Sequence, residues 1–293
     1  MIKTAIATDS NSGITQKQAK KWGIFVLPMT FFVNDQQYFE ELDISQEQFY
    51  EMIANKKTVV ATSQPSPDEL TTLWKRILKD YDELVYVPMS SGLSNSCTTA
   101  MLMAKEFNGR VHVVNNQRIS VTQYQSVIDA VHMAEKGIPG IKIKEVLEKD
   151  RFDSSIYIMV NDLAYLKRGG RVTPAGALLA NVMNLKPVLQ IQGEKLDACA
   201  KCRGVKSAKL KLLEMMHKDF ETRFKDIVDS DKMSLLFSYS NVSRQEADKW
   251  KKEIESSFPG FKVDGAPLSL SIGCHIGPGS FAIACSKRSS YDI

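Results

Sequence analysis

Residues 84–107 read LVYVPMSSGLSNSCTTAMLMAKEF, and no other stretch constrains the fold as strongly. Leu84 to Val87 is a short apolar run of the kind that forms a buried strand. Pro88 ends it. Ser90, Ser91, Gly92, Leu93, Ser94, Asn95 and Ser96 follow, a loop of small hydroxyl residues around one glycine. Ala100, Met101, Ala104 and Phe107 then recur at helical spacing. The spacing predicts strand, hydroxyl-rich turn and helix in immediate succession. A helix N-terminus leaves backbone N–H groups unpaired and partly positive, so this turn can seat an anion or polar headgroup. The plainer reading is that Ser94 or Ser96 only caps the helix.

The same alternation extends on both sides. Lys3 to Thr8 reads as a strand ending in Asp9-Ser10-Asn11-Ser12-Gly13. Thr15 with Gln18, and Ser45 with Gln48, fit capping boxes, and Gly23 is a C-terminal stop. Strands are expected at Ile24 to Leu27 and Met29 to Val33, with a hairpin turn at Asn34-Asp35. Ser66, Pro67 and Glu69 mark another helix start. A strand at Val111 to Val114 and helices at about 121–136 and 141–149 complete this half. Alternating strands and helices imply a parallel sheet covered on both faces.

After Asp153 the pattern changes. Strands are expected at Ser155 to Val160 and Met233 to Ser240, with a hairpin turning near Gly193 between Pro187 and Ala200. Long helices are expected at about 206–224 and, capped by Ser243 and Glu246, up to Phe258. Residues 174–183 are almost all apolar, which predicts a helix that is buried or lines an apolar cavity. Pro267 to Ala284 reads as strand, glycine-rich turn around His275, and strand. The fold class is therefore α/β: an N-terminal, mostly parallel Rossmann-like sheet at 1–154, and a C-terminal mixed sheet with helices at 155–293.

Several function classes fall away on composition. A net charge of +4 with no dense Lys/Arg stripe argues against nucleic acid. No apolar run is long enough for a membrane span, and the first residues do not make a signal peptide. Five cysteines, an odd number, suit a reducing compartment, so a cytoplasmic location is expected. No Walker loop and no G-x-G-x-x-G occurs. Cys199-Ala200-Lys201-Cys202 has no second pair at zinc spacing, and reads as two ordinary thiols on a hairpin strand.

What remains is a set of polar residues at predicted strand ends: Asp9-Ser10, Thr62-Ser63, Ser91 to Ser94, and His275 in its turn. Open parallel sheets bind ligands outside the carboxyl ends of their strands. Turns favour the same residue types, so each alone is unremarkable. Gly92-Leu93-Ser94-Asn95-Ser96 approaches the G-x-S-x-G nucleophile elbow, with Ser96 where the second glycine should be. A Ser94–His275–Asp9 hydrolase can be drawn from these residues, unsupported by order or spacing.

Taken in order, Thr8-Asp9-Ser10, Thr62-Ser63-Gln64-Pro65-Ser66, Ser90-Ser91-Gly92-Leu93-Ser94, Leu163 to Arg171 (LAYLKRGGR), Leu185-Lys186-Pro187-Val188 and His275-Ile276-Gly277-Pro278-Gly279 resemble the motifs of the DegV family. These are bacterial fatty-acid-binding proteins that serve a fatty-acid kinase. The likeness spans residues 8–279 and departs at Asn115-Asn116-Gln117, where the family pattern has Asp-Ser or Asp-Thr. The resemblance implies two α/β domains enclosing an acyl chain near their junction. It implies a fatty-acid carboxyl held by Thr62 and Ser94, with His275 and Arg203 supporting the polar network. It also implies that a long-chain fatty acid is the ligand, that no cofactor or metal is required, and that the partner is a separate ATP-dependent kinase making an acyl phosphate for phospholipid synthesis. On that reading the chain is a lipid-binding subunit and not itself an enzyme. The region around Gly169-Gly170-Arg171 is expected to contribute to kinase docking. Two rivals stand beside it: a serine acyl hydrolase using Ser94, and a carrier or sensor of another small apolar acid.

Overall fold

The structure, a computed structural model, describes residues 2–55, 57–169, 185–193 and 195–292. The apolar segment 174–183 and the Gly170-Arg171 pair lie outside these residues.

In chain order the strands are β1 (Thr4–Asp9), β2 (Phe25–Leu27), β3 (Thr30–Val33), β4 (Gln36–Phe39), β5 (Val60–Ser63), β6 (Glu83–Val87), β7 (Val111–Val113), β8 (Ser154–Met159), β9 (Leu185–Ile191), β10 (Asp197–Arg203), β11 (Met233–Ser240), β12 (Val263–Pro267) and β13 (Ser280–Lys287). The helices are α1 (Gln16–Trp22), α2 (Gln46–Ala54), α3 (Pro67–Ile77), α4 (Ser96–Ala104), α5 (Ser120–Glu135), α6 (Gly140–Lys149), α7 (Leu163–Gly169), α8 (Gly204–Glu221), α9 (Lys225–Asp229), α10 (Arg244–Ser257) and α11 (Leu270–Ile276).

The first sheet is parallel, in the order β2-β1-β6-β7. Its central strands are apolar along their length because both faces are covered. Trp74, Leu70 and Ala100 from α3 and α4 lie on one face, and Val127, Met133 and Ile143 from α5 and α6 on the other. The second sheet is mixed, in the order β10-β9-β8-β13-β11-β12. Its outer face is buried by α8 and α10 through Leu212, Met216 and Trp250. Its inner face turns Ile156, Ile158, Leu189 and Leu236 toward Met29, Met89, Leu93 and Ile119 of the first half. These two units match the two α/β architectures expected.

Local signals account for four of the helix starts. The Thr15–Gln18, Ser45–Gln48, Ser66–Glu69 and Ser243–Glu246 boxes all form, and Gly23 closes α1 at φ +67°. Asn34 and Asp35 turn the β3–β4 hairpin with both φ values positive. Three expectations need correction. β5 does not extend the parallel sheet; it pairs antiparallel with β3 in a separate sheet of order β4-β3-β5. Residues 270–276 are not strand and turn but helix α11, because Ser269 accepts the Ile272 N–H and Gly277 closes the other end. Met101 does not pack inward: it is 41% exposed, since α4 is apolar nearly all round and its sequence marks no single face.

Candidate functional site

The carboxyl end of the parallel sheet, α11 and the inner face of the mixed sheet border a cavity. Its walls are mostly apolar: Met29, Met89, Leu93, Ile119, Ile156, Ile158, Ile191, Leu196, Leu268, Ile272 and Ile276. Thr62, Ser63, Gln64, Ser94 and His275 also line it.

Thr62 reaches the site from β5. It lies opposite Phe31 of β3, on the sheet face whose Phe31 and Val33 pack against Leu270 and Cys274 of α11. That packing carries Thr62 onto the last turn of the helix, where its Oγ1 is 2.8 Å from His275 Nε2. The donor in this pair depends on the imidazole tautomer. Ser94 arrives from the turn after β6. Ser90 carbonyl oxygen accepts the N–H groups of Leu93 and Ser94 at 3.1 and 3.2 Å, winding the loop tightly. Asn95 holds the N-cap position without a side-chain cap bond, while Ser94 Oγ accepts the Ser96 N–H at 3.1 Å across the turn. Its own O–H donates to no acceptor among the described residues and remains available to a ligand that borders the same cavity.

Helix α11 is fixed at both ends by long-range contacts. Glu40, which is 3% exposed, accepts the Leu270 N–H through Oε1 and the Ser10 hydroxyl through Oε2 at 2.7 Å. Asn11 Oδ1 accepts from Ser271 at 2.6 Å and from Ser269 at 3.2 Å. At the other end Ser240 Oγ donates to the Gly277 carbonyl at 2.6 Å. The Tyr165 ring lies where a Cβ on Gly277 would stand, and Gly277 has φ +73°. The helix that presents His275 is therefore clamped before any ligand arrives.

The DegV family model matches residues 3–288. This chain belongs to the DegV family. A DegV domain-containing protein of Deinococcus radiodurans is 31% identical over 213 residues, covering 73% of this chain and 76% of the relative. A DegV family protein from Thermus thermophilus, whose structure is described as fatty acid binding, superposes with a TM-score of 0.86 at 28% identity, over 98% of this chain and 100% of that one. A protein from Eubacterium ventriosum, described as stearic acid-binding, gives a TM-score of 0.88 at 19% identity over 99% and 100%, which speaks to the DegV fold alone.

Among the residues expected to matter, the fold brings Thr62, Ser94 and His275 to one DegV cavity. Arg203 is not with them: it is exposed at the end of β10 and does not line the cavity. Asp9 is also elsewhere. Its carboxylate accepts the Met89 and Asn11 N–H groups at 2.8 and 3.0 Å and the Gln123 amide at 3.1 Å, tying β1 to the turn after β6. Burial pushes its carboxyl up, and these donors pull it partly back. Asp9 is thus a scaffold carboxylate rather than the third member of a triad. Ser94 is not among the positive-φ residues, so it lacks the strained turn of a nucleophile elbow. The cysteines are all free, and burial raises the Cys199 thiol to about 12, which disfavours its thiolate. No cluster of metal-ligating side chains occurs among the described residues. None of their helices is long and apolar enough to cross a membrane.

Sequence reasoning missed four polar cavity residues: Asn11, Ser120, Ser238 and Ser271. Ser238 carried a signal, being a polar residue at an inward position of the apolar strand LLFSYS. Asn11 and Ser271 carried none, because their roles depend on contacts 260 positions apart.

Proposed function

We propose that the chain binds a long-chain fatty acid in this cavity, its carboxyl at Thr62, Ser94 and His275 and its tail along the isoleucine and methionine walls. The observation that carries the reading is that Thr62, Ser94 and His275 border one cavity whose walls are mostly apolar. A carboxylate leaving water needs hydrogen-bond donors, and the Ser94 hydroxyl and the Thr62 hydroxyl, the latter paired with His275 Nε2, are such donors. A tail of ~12 buried methylenes contributes on the order of 10 kcal/mol before ordering costs, at about 0.8 kcal/mol each. The tail supplies affinity and the head fixes register. The fatty-acid binding described for the Thermus relative, 28% identical along nearly the whole chain, supports the same ligand class. Arg203 has no part at the carboxyl in this proposal.

Among the described residues Ser94 is not set in an assembled triad, and we propose further that the chain presents the carboxyl to a separate ATP-dependent kinase, which forms the acyl phosphate. Native mass spectrometry of freshly purified protein, with extraction and identification of what it holds, tests the ligand. Only apo mass, together with a melting temperature unmoved by palmitate or oleate, overturns the lipid reading. Acyl phosphate formed from ATP by this chain alone overturns the division of labour.

A further inference from the structure

The apolar part of the cavity contains hydrogen-bonding groups that a plain hydrocarbon tail cannot use. Ser238 is 1% exposed and lines the cavity. Strand alternation settles which way it faces. Leu235 and Phe237 belong to the outer core under α8 and α10, whereas Leu236 belongs to the inner core with Ile158 and Ala282. Ser238 lies beside Ala282 on that inner face, in the row that continues to Ile158. Its hydroxyl makes no hydrogen bond among the described residues.

Ser120 is the second such group. It opens α5, is 7% exposed, lines the same cavity, and its hydroxyl likewise makes no hydrogen bond among the described residues. It also holds φ at +55°, an uncommon conformation for serine that tends to mark functional positions. Asn11 borders the cavity too, but its side chain is committed: its oxygen accepts from Ser269 and Ser271, and its amide faces the Met89 thioether at 3.1 Å and the Asp9 carboxylate. The two serine hydroxyls, bordering one cavity without a partner among the described residues, are placed to meet a polar group on a ligand.

We infer that the preferred ligand is a hydroxy fatty acid, whose chain hydroxyl is received by Ser238 and Ser120. This rests on the fatty-acid reading above and narrows it. A chain hydroxyl accepts from one serine and donates to the other, whereas a methylene at the same place leaves both hydroxyls unpaired. A site built to hydrogen-bond a ligand hydroxyl discriminates strongly against the analogue that lacks it.

The test compares stearate with 3-, 10- and 12-hydroxystearate for binding to the full chain by titration calorimetry. The expected result is that at least one hydroxystearate binds tenfold or more tighter than stearate. In Ser238→Ala that margin falls below threefold while stearate binds as tightly as before or tighter. Ser120→Gly, which suits the positive φ, narrows the margin without loss of stearate binding. Stearate affinity serves as the folding control for each variant. The inference is overturned if stearate matches every hydroxystearate on the wild type, or if the margin survives both substitutions. If neither stearate nor any hydroxystearate binds, the fatty-acid reading itself has failed and this inference goes with it.

Discussion

Thr62 Oγ1 and His275 Nε2 stand 2.8 Å apart although 213 residues separate them in the chain. The pair joins an edge strand of the small antiparallel sheet to the last turn of α11. Either residue alone would be an ordinary polar side chain. Together with Ser94 they line one cavity whose walls are mostly apolar.

Thr62→Val removes the hydroxyl and keeps the shape, and Ser94→Ala removes little volume. A hydrogen bond to a charged group contributes about 1.5–3 kcal/mol, well below what a buried tail supplies. Each variant is expected to stay folded and to retain fatty-acid binding within about a hundredfold of wild type. Kinase-coupled acyl-phosphate formation should fall further, because displacing a reacting group by ~1 Å can cost about a hundredfold in rate. Calorimetric affinity and coupled turnover, measured on both single variants and the double, check this. Wild-type values in both assays would place the head site elsewhere.

Gly277→Ala combines two penalties. The residue has φ +73°, and its Cβ would enter the ring of Tyr165. Tyr165 is itself anchored, its hydroxyl donating to the Ile53 carbonyl at 3.3 Å. The ring cannot swing away without releasing α7 from α2, so a loss of roughly 2–4 kcal/mol is expected. Because Gly277 follows the turn that holds His275, ligand affinity should fall along with stability. Urea denaturation and stearate titration of the same sample measure the two together.

How far the sequence foretold this follows from the range of each contact. The Ser66–Pro67–Glu69 start and the Gly23 stop are legible because their physics is local. The strand–turn–helix at 84–107 is legible for the same reason, as is the position of Ser94. Helix α11 was not, since its seven residues hold a mid-helix glycine and no strong periodic pattern. It forms because Glu40 and Asn11, more than 200 positions away, take its first polar groups. Thr62 was read as a ligand residue on family resemblance, but its place in a third sheet depends on pairing with β3, which the strand's own four residues do not encode. Arg203 was grouped with the head site on the same resemblance, and the fold leaves it at an exposed strand end.

Arg203→Ala therefore separates resemblance from geometry. The side chain is exposed and does not line the cavity, so stability should change by no more than about 0.5 kcal/mol. Fatty-acid affinity should match wild type within twofold. A large loss of affinity with an unchanged melting temperature would return Arg203 to the carboxyl site.

Glu40 gives the clearest pH signature. Burial raises its carboxyl from 4.5 to about 7, and the hydrogen bonds from Ser10, Leu270 and Ser271 only partly oppose this. Glu41 adds a smaller push in the same direction. A carboxyl raised in the folded state holds its proton while the unfolded chain has released one. Over that interval each rise in pH costs stability. Below about pH 4.5 both states are protonated, and above about 7 both are ionised, so the loss is confined between them. A shift of this size corresponds to roughly 3 kcal/mol across the window. Glu40→Gln keeps an oxygen for the Leu270 N–H and does not titrate. The variant should lose much less stability than wild type between pH 5 and pH 8. Asp9, raised by burial as well, is present in both proteins and cancels in the comparison. Urea denaturation of the pair at the two pH values provides the measurement. A wild-type-minus-variant difference that is the same at pH 5 and pH 8 would mean that Glu40 does not change charge in this range, and that the anchor at the start of α11 is indifferent to pH.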